Sequence, residues 1–292
     1  MRVFVAGATG AVGRFLVEQL IGDGHQVVGT SRRAEGVERL RAAGAEGVVL
    51  DVFDAEAVAD AVAAAAPDAV IHQLTSLSGG TSADNGRIRR EGTRHLVDAA
   101  KRAGVERMVA QSVAWVYEPG DEPADESVPL DLGADEPRLT TVNGIVALEH
   151  TVAEIEHHVM LRYGQLYGPG TWYRRGGVAD AVLHGDSSDP AAKFLGGLPA
   201  NAAVASFVHV ADAARAAVAA LEWSDGVVNI VDDEPAAARD WVPVLAAAVG
   251  APAPEPSSGR AGWERGATNT LARSLGWDPQ FPTWRTGFGA GV

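Results

Sequence analysis

The stretch that decides the fold is MRVFVAGATGAVG, residues 1–13. Its apolar strand runs directly into glycines at positions 7, 10 and 13. In this spacing the first glycine permits a tight turn, the second lets backbone N–H groups approach a pyrophosphate, and the third allows close packing of a helix on the strand. A phosphate would then lie at the positive end of that helix. The motif predicts a dinucleotide site with contacts from Gly7, Thr9, Gly10, Ala11, Val12 and Gly13.

Strand and helix patterns alternate after this turn. Strands are predicted over 24–29, 47–52, 68–74 and 105–113, and helical patterns separate them. Alternating strands and helices with apolar strands indicate a parallel sheet that is covered on both faces. The fold class is therefore α/β, a Rossmann-type doubly wound parallel sheet.

The second half of the chain is less regular. An acidic, Pro-rich loop is expected over 117–139, followed by a helix over 141–157 and a strand over 158–164. We expect residues 1–165 to form the core of the Rossmann domain and 166–292 to form mainly a small C-terminal substrate lobe. Segments around 204–232, in which strand and helix patterns return, are expected to rejoin the Rossmann domain.

Composition excludes several classes of function. The chain has 292 residues, is 47% apolar and carries a net charge of −14, so it can bury a large core and would repel nucleic acid. It has no cysteine, which excludes disulfides and thiolate chemistry. No secretory signal or membrane-spanning run is visible. We expect a cytoplasmic protein with a small-molecule substrate and no nucleic-acid or membrane partner.

The end of the second strand predicts which cofactor binds. Arg32 and Arg33 stand where an NAD site usually carries an acid, and guanidinium groups match the 2′-phosphate of NADP. NADP(H) is therefore the expected cofactor, although both arginines could instead be solvated loop residues. Asp51 and its neighbour Val52 are placed to meet the adenine, but Asp51 could equally cap the next helix.

Longer strings extend the resemblance beyond the glycines. They include DVFD at 51–54, VIHQLTS at 70–76, LRYGQLYGPGT at 161–171 and SFVHVADAARA at 206–216. With these strings in order, nearly the whole chain resembles the extended short-chain dehydrogenases/reductases, in their NAD(P)-dependent epimerase/dehydratase branch. The resemblance implies a cleft between the Rossmann domain and the lobe, with a homodimer as a possible assembly. It also implies that the cofactor is contacted by Leu74, Thr75, Ser112, Gly164 and Leu166.

The sequence departs from this family at the residues of its chemistry. Family members carry Tyr-x-x-x-Lys followed four residues later by a frequent Glu. Glu149 matches the Glu, so Thr141 and Ile145 stand at the tyrosine and lysine positions. A threonine hydroxyl without an adjacent lysine keeps too high a pKa to act as a base near neutrality. The chain is atypical, because Arg89 also replaces the family's helix asparagine.

Other residues are therefore candidates for proton transfer. Ser112, Tyr117 and Tyr163 are the candidate catalytic residues, and Tyr163 stands where the family usually has proline. Each tyrosine could instead be core packing. A substrate pocket is expected from Trp115, Thr141, Ile145, Tyr167, Trp172 and Tyr173.

Two functions remain open at this point. The first is an NADPH-dependent oxidoreductase that reduces a small carbonyl, imine or enone with a non-standard proton donor, or with none. The second is an NADP(H)-binding protein without redox turnover, such as a cofactor sensor or a cyclase or lyase on the same fold. His150, Glu154 and His157 share a helical face, but a solvated face is the better interpretation, so no metal site is expected.

Overall fold

Strands and helices alternate over most of the chain in the computed structural model, which describes residues 1–76 and 82–291. The strands are β1 (Arg2–Ala6), β2 (Gln26–Ser31), β3 (Glu46–Val49), β4 (Ala69–His72), β5 (Arg107–Val113), β6 (His157–Tyr163), β7 (Gln165–Tyr167), β8 (Val204–Ala205), β9 (Phe207–His209), β10 (Gly226–Ile230) and β11 (Ala236–Ala237). The helices are α1 (Ala11–Gly22), α2 (Ala34–Ala42), α3 (Ala55–Ala65), α4 (Ser82–Arg87), α5 (Thr93–Arg102), α6 (Arg138–Val152), α7 (Val178–Leu183), α8 (Val210–Ala219), α9 (Ala238–Val249), α10 (Thr270–Ser274) and α11 (Trp284–Gly291). A π-helical turn, Ile88–Gly92, joins α4 to α5, and a 3-10 turn spans Pro190–Leu195.

Seven strands form one parallel sheet in the order β10-β6-β5-β4-β1-β2-β3. The order reverses beside β1, where the chain leaves for β2 on one side and β4 lies on the other. Ligands of open α/β sheets bind at such a switch point, at the carboxyl ends of the strands. The Rossmann-type parallel sheet predicted from the sequence is confirmed.

Side chains of β1 show how the sheet is covered on both faces. Val3 and Val5 pack into the layer formed with α1 and α8, whereas Phe4 and Ala6 pack into the layer formed with α3, α5 and α6. All four side chains are buried. Adjacent residues of a strand point to opposite faces, so a strand between two helical layers must be apolar throughout.

The C-terminal part of the chain contributes to both regions. Strand β10 pairs with β6 at the edge of the main sheet, and α8 packs on α1. A separate aromatic core lies outside the sheet, where Phe207 packs edge-on against Trp241 and Phe288. Within the described ranges, no helix combines the length and the apolar character needed to cross a bilayer.

Several element boundaries differ from those expected. The third strand ends at Val49 rather than at residue 52, and α6 begins at Arg138 and ends at Val152 rather than extending over 141–157. Helix α3 is capped by Asp54, whose carboxylate accepts the N–H of Ala57. Asp51, which the sequence offered as a possible cap of this helix, does not cap it. Packing and local capping decide where these strands and helices end, and the hydrophobic periodicity of the sequence does not predict those positions.

Asp212 in the first turn of α8 ties the C-terminal segment to the sheet. Its fully buried carboxylate accepts the backbone N–H groups of Gln280 and Phe281, at 2.7 and 2.9 Å. These bonds hold the segment that leads to α11 against the Rossmann domain. An N–H group that loses its acceptor destabilises the fold, so this one side chain couples the two regions.

We expect Asp212→Ala to lower the free energy of unfolding by about 1–3 kcal/mol, because two partly buried amides lose their acceptor. Urea denaturation followed by circular dichroism measures the change. Asp121→Ala is the control, since that side chain is 96% exposed although it pairs with Arg260, and it should alter stability by less than about 0.5 kcal/mol. Equal, small effects of both substitutions would contradict the assigned role of Asp212.

Candidate functional site

The turn between β1 and α1 forms a cradle of bare backbone. Gly7 adopts a φ of +88°, and a Cβ there would lie 2.6 Å from the carbonyl oxygen of Gln73. A Cβ on Gly13 would lie 2.2 Å from the carbonyl oxygen of Gly7. Helix α1 begins at Ala11 with Gly10 as its cap and no side-chain oxygen on its N–H groups. An anion can therefore approach the start of this helix closely.

A cavity of about 390 Å³ opens at this cradle. Most of the predicted cofactor contacts line it: Gly7, Thr9, Gly10, Ala11, Val12, Arg32, Arg33, Asp51, Val52, Leu74, Thr75 and Leu166. Gly13 does not line the cavity, because it is the point where α1 packs on the turn. The lining also contains residues that the sequence reasoning missed: Arg14, Ser31, Arg39, Phe53, Gln73, Gln111 and Gly170.

Three exposed arginines lie at the outer end of this cavity. Arg32 and Arg33 follow β2, and Arg39 reaches the same cavity from α2. The backbone N–H of Arg33 donates to the hydroxyl of Ser31, at 3.2 Å. Arg39 lies in α2, which begins at Ala34, whereas Arg32 precedes the helix, so no helical spacing in the sequence links the two.

A second cavity, of about 300 Å³, adjoins the first. Thr75, Gln111 and Leu166 line both, so they form the junction between the two. Aromatic side chains dominate its far wall, where the rings of Trp172 and Phe194 stack at 6.0 Å. Of the predicted residues, Ser112, Trp115, Thr141, Gly164, Trp172 and Tyr173 line it, and Tyr163 does so as well.

Ser112 lines this second cavity but donates away from it. Its hydroxyl donates to Oε1 of Glu149 at 2.7 Å, and the same carboxylate accepts two bonds from Arg162, at 2.8 and 2.6 Å. All three side chains are buried. The ion pair therefore holds Ser112 in one orientation, and the hydroxyl proton is committed to Glu149.

The hydroxyls of Tyr117 and Tyr163, two of the candidate proton donors, both bond to partners inside the protein. The buried hydroxyl of Tyr117 donates to Oδ1 of Asn229, and burial raises its pKa to about 12. The hydroxyl of Tyr163 donates to the carbonyl of Ala213 and accepts from Gln73, at 3.3 and 3.1 Å. Tyr163 points into the layer of α1 and α8, because residues alternate between the faces of β6. Burial raises its pKa as well.

Two residues expected in the substrate pocket, Tyr167 and Ile145, do not line the second cavity. Tyr167 lies in the aromatic core of the C-terminal lobe, with its ring edge-on to Phe288, and burial raises its pKa. Ile145 is fully buried among Val116 and Val142 and lines neither of the two cavities. The lysine position of the family is thus filled by hydrocarbon that faces the protein interior.

His72 is not placed to act as a proton donor. Its Nδ1 accepts the N–H of Leu74 at 3.1 Å, and its Nε2 lies 2.9 Å from the hydroxyl of Thr93. Burial, together with the charge of Arg89, lowers the pKa of His72 to about 4. A histidine in this state is neutral at physiological pH and is held by two hydrogen bonds. Across residues 1–76 and 82–291, no group of three or more His, Asp or Glu side chains is placed to hold a metal ion.

Comparison with known proteins gives one family match and several relatives. Residues 3–231 match the model of the NAD dependent epimerase/dehydratase family. A curated Streptomyces protein, described as 3-diazoavenalumate denitrifying reductase, is 44% identical, and the match covers 99% of each chain. A UDP-glucose 4-epimerase of Mycolicibacterium smegmatis is 33% identical over 45% of each chain.

Solved structures support the same fold. The UDP-glucose 4-epimerase of Thermus thermophilus, in complex with NAD, superposes with a TM-score of 0.78 and 26% identity, covering 100% of this chain and 97% of the other. The UDP-glucose 4-epimerase of Thermotoga maritima, with UDP-glucose, gives a TM-score of 0.76 and 20% identity, covering 100% and 97%. The second likeness, at this identity, concerns the fold alone.

The buried ion pair beneath the second cavity generates a stability prediction. We expect Arg162→Leu to lower the free energy of unfolding by about 3–5 kcal/mol, because it leaves the Glu149 carboxylate buried without its counterion. The double variant Glu149→Leu/Arg162→Leu should recover part of that loss, since no unpaired charge remains. Urea denaturation of the single and double variants measures both effects. A double variant less stable than the single would contradict this account.

Proposed function

The chain belongs to the NAD dependent epimerase/dehydratase family, and we propose that it is an NADPH-dependent reductase of a small aromatic electrophile. The observation that carries the proposal is the junction at Thr75, Gln111 and Leu166, where the glycine-lined cavity meets the aromatic cavity. The first cavity offers what a dinucleotide requires, and the second offers a flat apolar space beside it.

The residues of the first cavity fit a dinucleotide. The bare backbone at Gly7 and Gly10 would hold the pyrophosphate at the start of α1. Asp51 and Phe53 line the part of the cavity where β3 ends, as an adenine subsite requires. The NAD complex of the Thermus epimerase supports the same assignment through its fold.

The preference for NADPH follows from charge. Arg32, Arg33 and Arg39 line the cavity, and they could hold a phosphate on the ribose. Guanidinium groups pair bidentately with phosphate, whereas an NAD site needs an acid that accepts from the ribose hydroxyls. The segment after β2 offers no such acid before Glu35.

The absence of a proton donor at Thr141 and Ile145 decides which hydride acceptor we propose. Bound NADPH would supply a hydride. Reduction of a carbonyl also needs a proton for the alkoxide, and epimerisation needs a base for an alcohol, but Thr141 and Ile145 provide neither. An aryldiazonium ion that gains a hydride and loses N2 becomes a neutral arene, so no proton from the protein is consumed. The 44% identical relative, named a denitrifying reductase of a diazo compound, supports this class of substrate.

Carbonyls, imines and enones are the competing acceptors. Each accumulates negative charge on oxygen, nitrogen or carbon when it gains a hydride, and each then needs a proton. The hydroxyls of Ser112, Tyr117 and Tyr163 donate inside the protein, so water would have to supply that proton. These acceptors should therefore react more slowly than a diazonium ion. A homodimer and a cytoplasmic location stay predictions of the sequence.

We expect NADPH to bind at least about tenfold more tightly than NADH, because the 2′-phosphate gains charge-assisted hydrogen bonds. Nicotinamide fluorescence titration measures both affinities. The double variant Arg32→Ala/Arg33→Ala should lose most of the difference, whereas Arg41→Ala should keep it, since Arg41 pairs with Glu38 on the exposed side of α2. Equal affinities for the two cofactors in the unmodified protein would refute the preference.

We expect the protein to oxidise NADPH with an aryldiazonium salt and to release one N2 per NADPH. With NADPH deuterated at C4, the deuterium should appear in the arene, as mass spectrometry measures, after subtraction of a protein-free control. Tyr117→Phe and Tyr163→Phe should keep turnover within about threefold when folded, because their hydroxyls bond inside the core. Faster turnover of aldehydes or enones would refute the diazonium assignment, and silence with every acceptor would favour cofactor binding without redox turnover.

A further inference from the structure

Arg89 lies in the π-helical turn Ile88–Gly92 and lines the aromatic cavity. Its aliphatic part rests against Gly144 of α6, where an added Cβ would lie 3.3 Å from Cδ of the arginine. Gly144 directly precedes Ile145, the position at which the family carries its lysine. Because Gly144 has no side chain, α6 leaves room for the side chain of Arg89. Single π-helical turns are frequent at functional sites.

The guanidinium of Arg89 has no anionic partner among the residues that the structure describes. Other inward arginines are paired: Arg162 with Glu149 and Arg138 with Asp131. Burial alone lowers the pKa of Arg89, to about 10, so the group remains charged at neutral pH. The charge of Arg89 helps to lower the pKa of His72, which is neutral at physiological pH. A partly buried charge without a counterion is unfavourable, so the cavity should favour an anion.

The remaining walls restrict what that anion is attached to. Trp115, Trp172, Phe194 and Trp263 line the same cavity, and all four are partly buried or exposed. Stacked or flat aromatic walls favour a planar ring. A volume of about 300 Å³ lies at the lower end of the range for small-molecule sites, which fits a single aromatic ring with a short side chain.

We propose that Arg89 binds a carboxylate of the substrate, and that the site selects planar aryl carboxylates over neutral aromatic compounds. The proposal rests on the proposed function only for the redox step, because recognition of the carboxylate needs no hydride. The arginine would pair with the carboxylate through two parallel hydrogen bonds. The aromatic walls would hold the ring, and the junction with the first cavity would be left for the reacting group.

The test compares trans-cinnamate with trans-cinnamamide, which share the ring and differ in charge. Isothermal titration with saturating NADP+ present should show that cinnamate binds about ten- to a hundredfold more tightly, as a charged hydrogen-bonded pair implies. Arg89→Ala should remove this difference and leave the affinity for cinnamamide unchanged. Arg89→Lys should retain part of it, because lysine keeps the charge without the planar fork.

Arg90→Ala is the matched control, since Arg90 is the exposed neighbour and does not line the cavity. It should bind cinnamate as the unmodified protein does. Equal affinities for cinnamate and cinnamamide, or an equal loss of cinnamate binding in Arg89→Ala and Arg90→Ala, would overturn the proposal. Selective loss in Arg89→Ala would support it even if no diazonium salt were reduced, so the binding assignment and the redox assignment fail separately.

Discussion

The close approach of backbone segments at Gly7 and Gly13 is the constraint on which the rest of the structure depends. A side chain at either position would collide with backbone carbonyls, at 2.6 and 2.2 Å. Only glycine therefore lets α1 start against the turn while the end of β4 runs alongside it. The first cavity opens at this contact, and Thr75, three residues after the end of β4, lines both cavities.

Beneath the second cavity, the Glu149–Arg162 pair determines what chemistry is available. It holds the Ser112 hydroxyl, and the guanidinium also lies over the ring of Tyr117, 4.9 Å from its centre. Groups that could have moved protons are thereby bound to partners inside the protein. The second cavity therefore has aromatic walls, while the hydroxyls of Ser112, Tyr117 and Tyr163 donate to partners inside the protein. Such a site suits a reaction in which the electrophile itself neutralises the incoming hydride.

The positive charge that the family carries at its lysine position is supplied in this chain by Arg89, at a different place in the cavity wall. Ile145 is hydrocarbon at the family's lysine position, while Arg89 brings a cation from the facing helix across Gly144. In members of the family the lysine at this position stands beside a tyrosine and lowers its pKa, whereas Arg89 of this chain lines the aromatic cavity together with Thr141. The altered placement favours a role in binding an anion over a role in proton transfer.

The sequence alone determined the fold and predicted most of the residues that line the first cavity, because both depend on local patterns. The glycine spacing and the buried strands act within short stretches of chain and form the elements that the sequence predicted, and the arginines after β2 line the first cavity. Only the tertiary structure decided the pocket. Whether Tyr163 faces the cavity or the core depends on the face of β6 to which it points, and the partners of Ser112 and Tyr163 come from distant segments. Residue type reveals the capacity for chemistry, but the packing of elements from distant parts of the chain decides whether a polar atom faces a substrate or a neighbour.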